Sequence, residues 1–298
     1  MSKDKGYRSF KKTDYIIMAL LLVVALVICL VIYRDNFLKT STRSAKVSGT
    51  ISVSDYNGKK IGVQTGTVFD QMIRINIPDA EISYYNSYTE LLSALKSGSI
   101  DGFAVDEPMI KYMMAKDNSV DYIRDYMDDY SFGFAFPKSL KGEELCKEFC
   151  DYVIEAKTDG TLDSIDSLWF GAAEYKKEIP DLEVLNHDNG ILTLAVEPAN
   201  APFVYLKDDS IVGYEIDLAY RFCKDNGYGL KIVDMNFDEI LPAVSSGSAD
   251  FGCSTITITN ERKENVDFSV PHYKGGSVLA VRAEDTAGKN NGSDESDY

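Results

Sequence analysis

A fourteen-residue pattern of apolar and polar positions occurs twice in the chain, 149 residues apart. Tyr88–Asp101 reads YTELLSALKSGSID and Phe237–Asp250 reads FDEILPAVSSGSAD, and seven of the fourteen positions are identical. In each copy, leucines and small residues recur at spacings of three and four, which gives a helix one apolar face. A glycine then predicts the end of the helix, and a short apolar run predicts a strand. The repeat therefore indicates two similar α/β lobes.

The segments around each copy continue this alternation of strands and helices. Lys59–Gln64 precedes the first copy and Ile191–Val196 precedes the second, and both have the composition of buried strands. Glu215–Asn226 has helical periodicity in the second lobe. Gly142–Ala156 and Leu162–Trp169 predict two further helices between the lobes. We therefore expect an α/β fold class with two lobes.

A separate apolar segment, Tyr15–Tyr33, precedes both lobes. Its length is about that needed to cross a bilayer, and the lysines and arginine before it predict a cytoplasmic N-terminus. No small-residue cleavage site follows it, which favours an uncleaved anchor over a removed signal peptide. We expect a single-pass protein of the cell membrane, with both lobes outside the cytoplasm.

The charge and the cysteines exclude several classes of protein. A formal net charge of −16 argues against nucleic acid as a partner, because an acidic surface repels phosphates. Cys146 and Cys150 have helical spacing, which rarely suits disulfide geometry. With only two histidines in the chain, the pattern does not resemble a zinc site. We expect buried free thiols, no metal and no other cofactor.

Polar side chains follow the predicted strands at the edge where ligands of open α/β sheets bind. Gln64 and Thr67 lie at a predicted helix start, where free backbone N–H groups suit a carboxylate. An ordinary turn would show the same pattern. Asp106 follows the strand GFAV and could hold an ammonium group, or it could only cap the next helix.

Arg262 lies in STITITNERKENVDFS and is a second kind of candidate. Its guanidinium matches a carboxylate bidentately, and Thr257 could add a hydroxyl. A surface salt bridge with Glu261 or Glu264 is the alternative. One basic group, one acid and two hydroxyl-bearing turns together are what the head group of a zwitterion requires.

Several motifs in combination resemble the polar amino-acid-binding proteins of ABC importers, the family 3 type of extracellular solute-binding protein. The motifs of the family's first lobe are GYEIDLA, FDEILPAVSSGSADF, TITITNERKENVDFS and HYKGG. Those of its second lobe and C-terminal helices are GKKIGVQTGT, ELLSALKSGSIDGFAVDEP, FGFAFPK and SLWFG. The resemblance implies a periplasmic-binding-protein-like, two-lobed (Venus flytrap, type II) fold after one N-terminal transmembrane helix.

The resemblance also implies how the head group of a free amino acid is bound. Arg262 and Thr257 would bind the α-carboxylate, with help from Thr67. Asp106 would bind the α-ammonium group, together with the main chain near Thr255.

The same resemblance places the ligand side chain near Glu197, with Gln64 at another variable selector position. Many members of the family have an aromatic ring where this chain has Asn200. We therefore expect Phe203 or Phe237 to supply the apolar contact instead.

The order of the segments differs from that of the family, because the second-lobe segment comes first and the TITITNER lobe comes last. The chain is either a circular permutant or a fragment of a tandem binding protein, and we favour the permutant.

The predicted boundaries are 1–14 for a cytoplasmic tail, 15–33 for the anchor, 34–51 for a linker, 52–137 for lobe 2, 138–171 for C-terminal helices that pack on lobe 1, 172–189 for a second linker, 190–283 for lobe 1 and 284–298 for a disordered acidic tail.

The leading functional prediction is a membrane-anchored, monomeric binding protein, without catalytic residues, that captures a free polar amino acid for an ABC permease. A cyclohexadienyl-dehydratase-like enzyme is an alternative, and it would need a general acid with a raised pKa, for which Glu197 and Glu107 are candidates. An amino-acid-sensing ectodomain is another, although a cytoplasmic tail of about 14 residues is too short for an output domain. The last alternative is that the chain is a truncated piece of a tandem binding protein.

Overall fold

The computed structural model describes residues 51–178 and 180–287. The predicted cytoplasmic tail and anchor, nearly all of the first linker and the end of the acidic tail lie outside these residues. Within the described ranges, no helix is both long enough and apolar enough to span a bilayer.

The strands in chain order are β1 (Lys60–Gln64), β2 (Glu81–Tyr85), β3 (Gly102–Asp106), β4 (Val120–Phe132), β5 (Ala135–Pro137), β6 (Ile191–Val196), β7 (Ala199–Asn200), β8 (Val204–Lys207), β9 (Ser210–Val212), β10 (Gly229–Asp234), β11 (Phe251–Gly252), β12 (Val266–Phe268) and β13 (Tyr273–Arg282). The α-helices are α1 (Phe69–Asn76), α2 (Tyr88–Lys96), α3 (Glu107–Met114), α4 (Leu140–Thr158), α5 (Thr161–Asp166), α6 (Tyr214–Asp225), α7 (Phe237–Ser245) and α8 (Ala283–Thr286). Shorter helical turns are Val53–Tyr56, Ser167–Gly171, Glu174–Lys176, Leu182–Val184 and Arg262–Glu264.

Two five-stranded sheets form the two lobes, and they have the same design. The sheet of lobe 2 has the order β2-β1-β3-β13-β4, and the sheet of lobe 1 has the order β10-β6-β11-β5-β12. In each, three parallel strands are followed by antiparallel ones. A small third sheet, β7-β8-β9, precedes α6. The predicted α/β class and the two lobes are confirmed by this topology.

The chain passes between the two sheets twice, at positions close together in space. It leaves lobe 2 between β4 and β5 and returns between β12 and β13. The two crossings are hydrogen-bonded to each other, since the His272 amide donates to the Phe132 carbonyl (3.1 Å) and the Ser269 amide donates to the Phe134 carbonyl (2.9 Å). Paired crossings of this kind are the hinge of a two-lobed protein.

The sheets differ from the predicted boundaries at both crossings. The prediction placed 190–283 in lobe 1, but β13 pairs with β3 and β4 in the sheet of lobe 2. It placed 52–137 in lobe 2, but β5 pairs with β11 and β12 in the sheet of lobe 1. A crossing strand has the same apolar pattern whichever sheet it joins, so the sequence does not show where it pairs.

The sequence repeat is a repeat of structure down to its hydrogen bonds. Gly98 and Gly247 end α2 and α7 at φ of +73° and +74°, a conformation that favours glycine. The Asp101 carboxylate then accepts from the Lys60 amide at the start of β1 (3.0 Å), and the Asp250 carboxylate accepts from the Thr193 amide in β6 (2.9 Å). Each aspartate thus ties its turn to the neighbouring parallel strand.

The segment predicted as the second linker packs against both lobes. Within it, the Glu174 carboxylate accepts hydrogen bonds from Tyr112 of lobe 2 (3.4 Å) and from Tyr205 of lobe 1 (2.5 Å). The buried ammonium of Lys177 lies 3.2 Å from the same carboxylate. The acidic tail, predicted to be disordered from residue 284, begins as the short helix α8. The four cysteines in the described residues are free thiols, as expected.

We expect Asp250→Ala to lower the free energy of unfolding by about 1–3 kcal/mol, because the Thr193 amide loses a charged acceptor. Asp101→Ala should have a similar effect through the Lys60 amide. Urea unfolding monitored by circular dichroism measures both, with the exposed Ser248→Ala as the control. An aspartate variant as stable as that control would contradict the role of the repeat.

Candidate functional site: a cleft between the lobes

The carboxyl ends of parallel strands from both lobes meet at one cleft. Gln64 ends β1 and Asp106 ends β3 in lobe 2, while Glu197 follows β6 and Thr255 lies after β11 in lobe 1. Ligands bind at this edge of open α/β sheets, so the fold places the predicted candidates where a ligand is expected.

Gln64 and Glu197 form a direct contact across the two lobes. The Gln64 amide nitrogen donates to both oxygens of the Glu197 carboxyl, at 2.7 and 2.8 Å, and also to the Asn86 carbonyl at 3.1 Å. Asn200 donates to the same Glu197 carboxyl at 3.3 Å. The sequence indicated Gln64, Glu197 and Asn200, but not that they meet.

The Glu197 carboxyl is held in a largely buried environment. Burial raises its pKa to about 7, although the hydrogen bonds from Gln64 and Asn200 act in the opposite direction. The carboxyl therefore changes its protonation near neutral pH, at the contact that joins the lobes.

Arg262 makes a second contact across the lobes. Its guanidinium donates to the Thr257 carbonyl in its own lobe and to the Gly66 carbonyl in lobe 2, both at 2.9 Å. The guanidinium carbon lies 5.7 Å from the centre of the Phe237 ring. Burial lowers the pKa of Arg262 to about 10, so the side chain is still cationic at neutral pH.

No carboxylate of the described residues forms an ion pair with Arg262. The alternative of a salt bridge with Glu261 or Glu264 is therefore not what the structure shows. A half-buried cation that has only carbonyl partners can still accept an anionic partner.

Thr67 lies next to Gly66, at the start of α1. Its hydroxyl donates to the Gln64 carbonyl (2.7 Å) and accepts from the Phe69 amide (3.4 Å). The hydroxyl thus shapes the turn that brings the Gly66 carbonyl to Arg262.

Asp106 is 3% exposed and precedes α3 without capping it through its side chain. Burial and, after it, the charge of Glu215 raise its pKa well above the ordinary value. The charges of Asp106 and Glu197 both act on Tyr88, whose pKa burial already raises. The carboxyls of Asp106 and Glu197 therefore make this part of the cleft acidic, which suits an ammonium group.

The segment after β11 has an unusual backbone. Ser254 and Thr255 have φ of +135° and +55°, which residues with side chains rarely adopt. The Ser254 hydroxyl accepts from the Glu197 amide (2.9 Å), and the Thr255 amide donates to Glu215. Ser254 and Glu215 were not singled out from the sequence, and no local pattern marks them.

The two phenylalanines expected to contact a ligand lie in different places. Phe237 is buried and lies beside Arg262. Phe203 is fully buried in the aromatic core of the hinge. Its ring packs at 4.9–5.8 Å against Phe132, Phe170, Tyr214 and Tyr273. An apolar residue after a strand has the same pattern in both settings, so the sequence could not separate them.

Glu107 does not have the raised pKa that a general acid requires. Burial acts to raise it, but hydrogen bonds from Tyr126 (2.6 Å) and Tyr122 (3.1 Å) and the ammonium of Lys111 (3.0 Å) together lower the pKa of Glu107. The prediction that Glu107 could be the general acid of a dehydratase-like enzyme is therefore wrong.

Parts of the chain are similar to known proteins. Residues 192–293 match the family of bacterial extracellular solute-binding proteins, family 3. The chain is 38% identical over 90 residues to a probable histidine-binding protein of Campylobacter jejuni, covering 30% of this chain and 35% of that protein. It is 30% identical over 132 residues to the L-cystine-binding protein TcyJ of Escherichia coli, and the match covers 42% of this chain and 47% of that protein.

The arginine-binding extracellular protein ArtP of Bacillus subtilis is 36% identical over 81 residues, which cover 27% of this chain and 32% of that protein. The chain thus spans about a third to a half of the length of these relatives. The arginine-bound domain 1 of TmArgBP is 35% identical over 34% of this chain and 86% of that domain, with a TM-score of 0.28. These relatives are binding proteins, in agreement with the prediction that the chain is not an enzyme.

The Glu197 carboxyl should make stability depend on pH. Because its pKa is raised from 4.5 to about 7 in the folded protein, its stabilising effect is complete below pH 4.5 and is lost as the pH rises through 7. The loss is on the order of 3 kcal/mol. Urea unfolding at pH 5 and pH 7.5, without added amino acid, should show a smaller pH difference in Glu197→Gln than in the wild type. The exposed Glu261→Gln is the matched control, and an equal pH difference in all three proteins would contradict the assignment.

Proposed function

We propose that the chain captures a free polar amino acid in the cleft between its lobes. One observation carries this proposal: a cationic Arg262 without a carboxylate partner among the described residues contacts Gly66 across the lobes, and the buried carboxyls of Asp106 and Glu197 lie at the strand ends of the same cleft. An amino acid supplies both missing charges at once, through its α-carboxylate and its α-ammonium group.

The α-carboxylate binds to Arg262, which the Thr257 carbonyl holds in place. A carboxylate is a better acceptor for a guanidinium than a carbonyl oxygen is, so it competes with the Gly66 carbonyl for the same donor. The α-ammonium group binds to Asp106, whose ionised form it stabilises. Each charge of the ligand is thus met by a group that the fold has already buried and positioned.

Both lobes contribute to this site, so the bound amino acid favours the state in which the lobes are in contact. Asp106 and Gly66 belong to lobe 2, and Arg262 and Glu197 belong to lobe 1. The hydrogen-bonded crossings at Phe132–Ala135 and Ser269–Tyr273 are where the backbone rotates when the lobes separate.

The side chain of the ligand lies near Glu197. Gln64 and Asn200 surround this carboxyl with amide groups, so this end of the cleft is polar and suits a polar or basic side chain. The printed functions of the relatives, which bind histidine, arginine or cystine, support a polar amino acid.

We further propose that the protein is anchored in the cell membrane by residues 15–33, functions as a monomer outside the cytoplasm and delivers its ligand to an ABC permease. The apolar composition of that segment and the resemblance to a family of binding proteins support this. The permuted order remains our proposal for the fold. Two five-stranded sheets of the same design from one chain support it over a tandem fragment.

Calorimetric titration of the full chain in detergent against the twenty amino acids should show one-to-one binding of one or a few of them. Arg262→Ala and Asp106→Asn should each weaken that binding at least about 100-fold, because each leaves a charge of the ligand unpaired in a buried site. Lys263→Ala and Asp125→Asn, at exposed positions, are the matched controls. Unchanged affinity in both cleft variants would reject the site.

Binding should also release protons. The ammonium group stabilises ionised Asp106, whose pKa is raised in the protein alone, so affinity should increase as the pH rises towards that raised pKa. Titrations in buffers of different ionisation enthalpy measure the protons released. We expect about one proton or less per ligand in the wild type and a clear decrease in Asp106→Asn. If the heat of binding to the wild type does not depend on the buffer, Asp106 does not bind the ammonium group.

A further inference from the structure

A buried pair of ionisable side chains beside the cleft, Glu215 and His272, has no part in the proposal above. Both side chains are 0% exposed, and the His272 Nε2 atom lies 2.9 Å from a Glu215 carboxylate oxygen. His272 Nδ1 has no hydrogen-bond partner in the described part of the chain, so the contact with Glu215 is what orients the ring. Burial of such a pair is costly unless each member is well placed, and its position next to the cleft therefore needs an explanation.

Glu215 holds the backbone that follows β11. Both of its carboxylate oxygens accept from the Thr255 amide, at 3.0 and 3.2 Å. Thr255 and Ser254 have the positive φ values described above, and strained conformations of this kind persist only where the surroundings hold them. Thr255 leads directly into Thr257, whose carbonyl positions Arg262.

His272 lies in the second crossing between the lobes. Its amide donates to the Phe132 carbonyl of the first crossing (3.1 Å), and its carbonyl accepts from the Tyr214 hydroxyl (3.0 Å). Its ring packs edge-on against Phe134, with centroids 5.0 Å apart. The backbone of His272 is thus part of the hinge, while its side chain reaches the carboxylate that holds the binding segment.

We propose that Glu215 and His272 are positioning residues that hold Ser254–Thr257 in its ligand-binding conformation and connect that segment to the hinge. Glu215 supplies the acceptor for the strained Thr255 amide, and His272 fixes the carboxylate by donating from Nε2. The effect on affinity rests on the proposed amino-acid binding, whereas the effect on the Thr255 amide does not.

The experiment compares two substitutions at each position in the full chain in detergent. Glu215→Gln and His272→Gln keep an acceptor and a donor, whereas Glu215→Leu and His272→Leu keep only the approximate volume. Hydrogen exchange at 254–257 is followed by mass spectrometry, and the affinities for L-arginine, L-histidine and L-cystine are measured by calorimetry. His187→Gln, at the other, exposed histidine of the chain, is the matched control.

The leucine variants should exchange at 254–257 at least about tenfold faster and bind about tenfold more weakly, because a hydrogen bond to a charged group is lost. The glutamine variants should stay within about threefold of the wild type, and His187→Gln should not differ from it. Equal behaviour of the leucine and glutamine variants would show that the pair only fills space, and this would overturn the proposal. If none of the three amino acids binds to the wild type but 254–257 responds as described, the positioning role holds and the probes argue against the proposed ligand.

A measurement on the wild type covers the case in which a leucine variant does not fold. Labelling with ¹⁵N-histidine yields signals from two rings only, His187 and His272. The Nε2 nitrogen of His272 should carry a proton that is protected from exchange with solvent, whereas that of His187 should exchange freely. A His272 ring without a proton on Nε2 would overturn the pairing whatever the variants show.

Discussion

The two hydrogen-bonded crossings between the lobes are the constraint on which the cleft depends. Phe132 and His272 lie side by side and are paired through their backbones, so this strip fixes the lobes against each other at one place. The ends of β1 and β3 thereby lie opposite β6 and the segment after β11. A site divided between two lobes needs such a register, since its charges must meet within hydrogen-bonding distance each time.

The second constraint is the cost of burying charge. The guanidinium of Arg262 and the carboxyl of Glu197 have neutral partners across the lobes, the Gly66 carbonyl and the Gln64 amide. Asp106 is a second buried carboxyl of the cleft. Neutral partners satisfy the hydrogen bonds without cancelling the charges. The raised pKa values of Asp106 and Glu197 follow from the same arrangement. In the proposed function a zwitterion removes this cost, because it offers one charged partner to the guanidinium and another to a carboxyl.

Much of the architecture could be predicted because it depends on local sequence patterns. The repeated helix, its glycine end and the aspartate that follows are all within fourteen residues of one another, and the structure confirms them in both lobes. The buried strands and the free cysteines also followed from composition and spacing. The position of β13 could not be predicted, because a strand that crosses between lobes has no local sequence feature that indicates which strands it pairs with. The separation of Phe203 from Phe237 failed for the same reason, because an apolar ring in a core and one at a ligand have the same sequence signal.

The sequence by itself determined the class of the fold, the resemblance to a family of binding proteins and the positions of the polar residues at the strand ends, because each of these depends on short-range periodicity or on motifs within one segment. Only the tertiary structure decided which of these residues meet. The contact of Gln64 with Glu197 joins positions 133 residues apart, and that of Arg262 with Gly66 joins positions 196 apart. The contact between Glu215 and His272 could not be predicted from the sequence for the same reason. Contacts of this kind depend on how two lobes close about a hinge, and no local stretch of the chain contains that information.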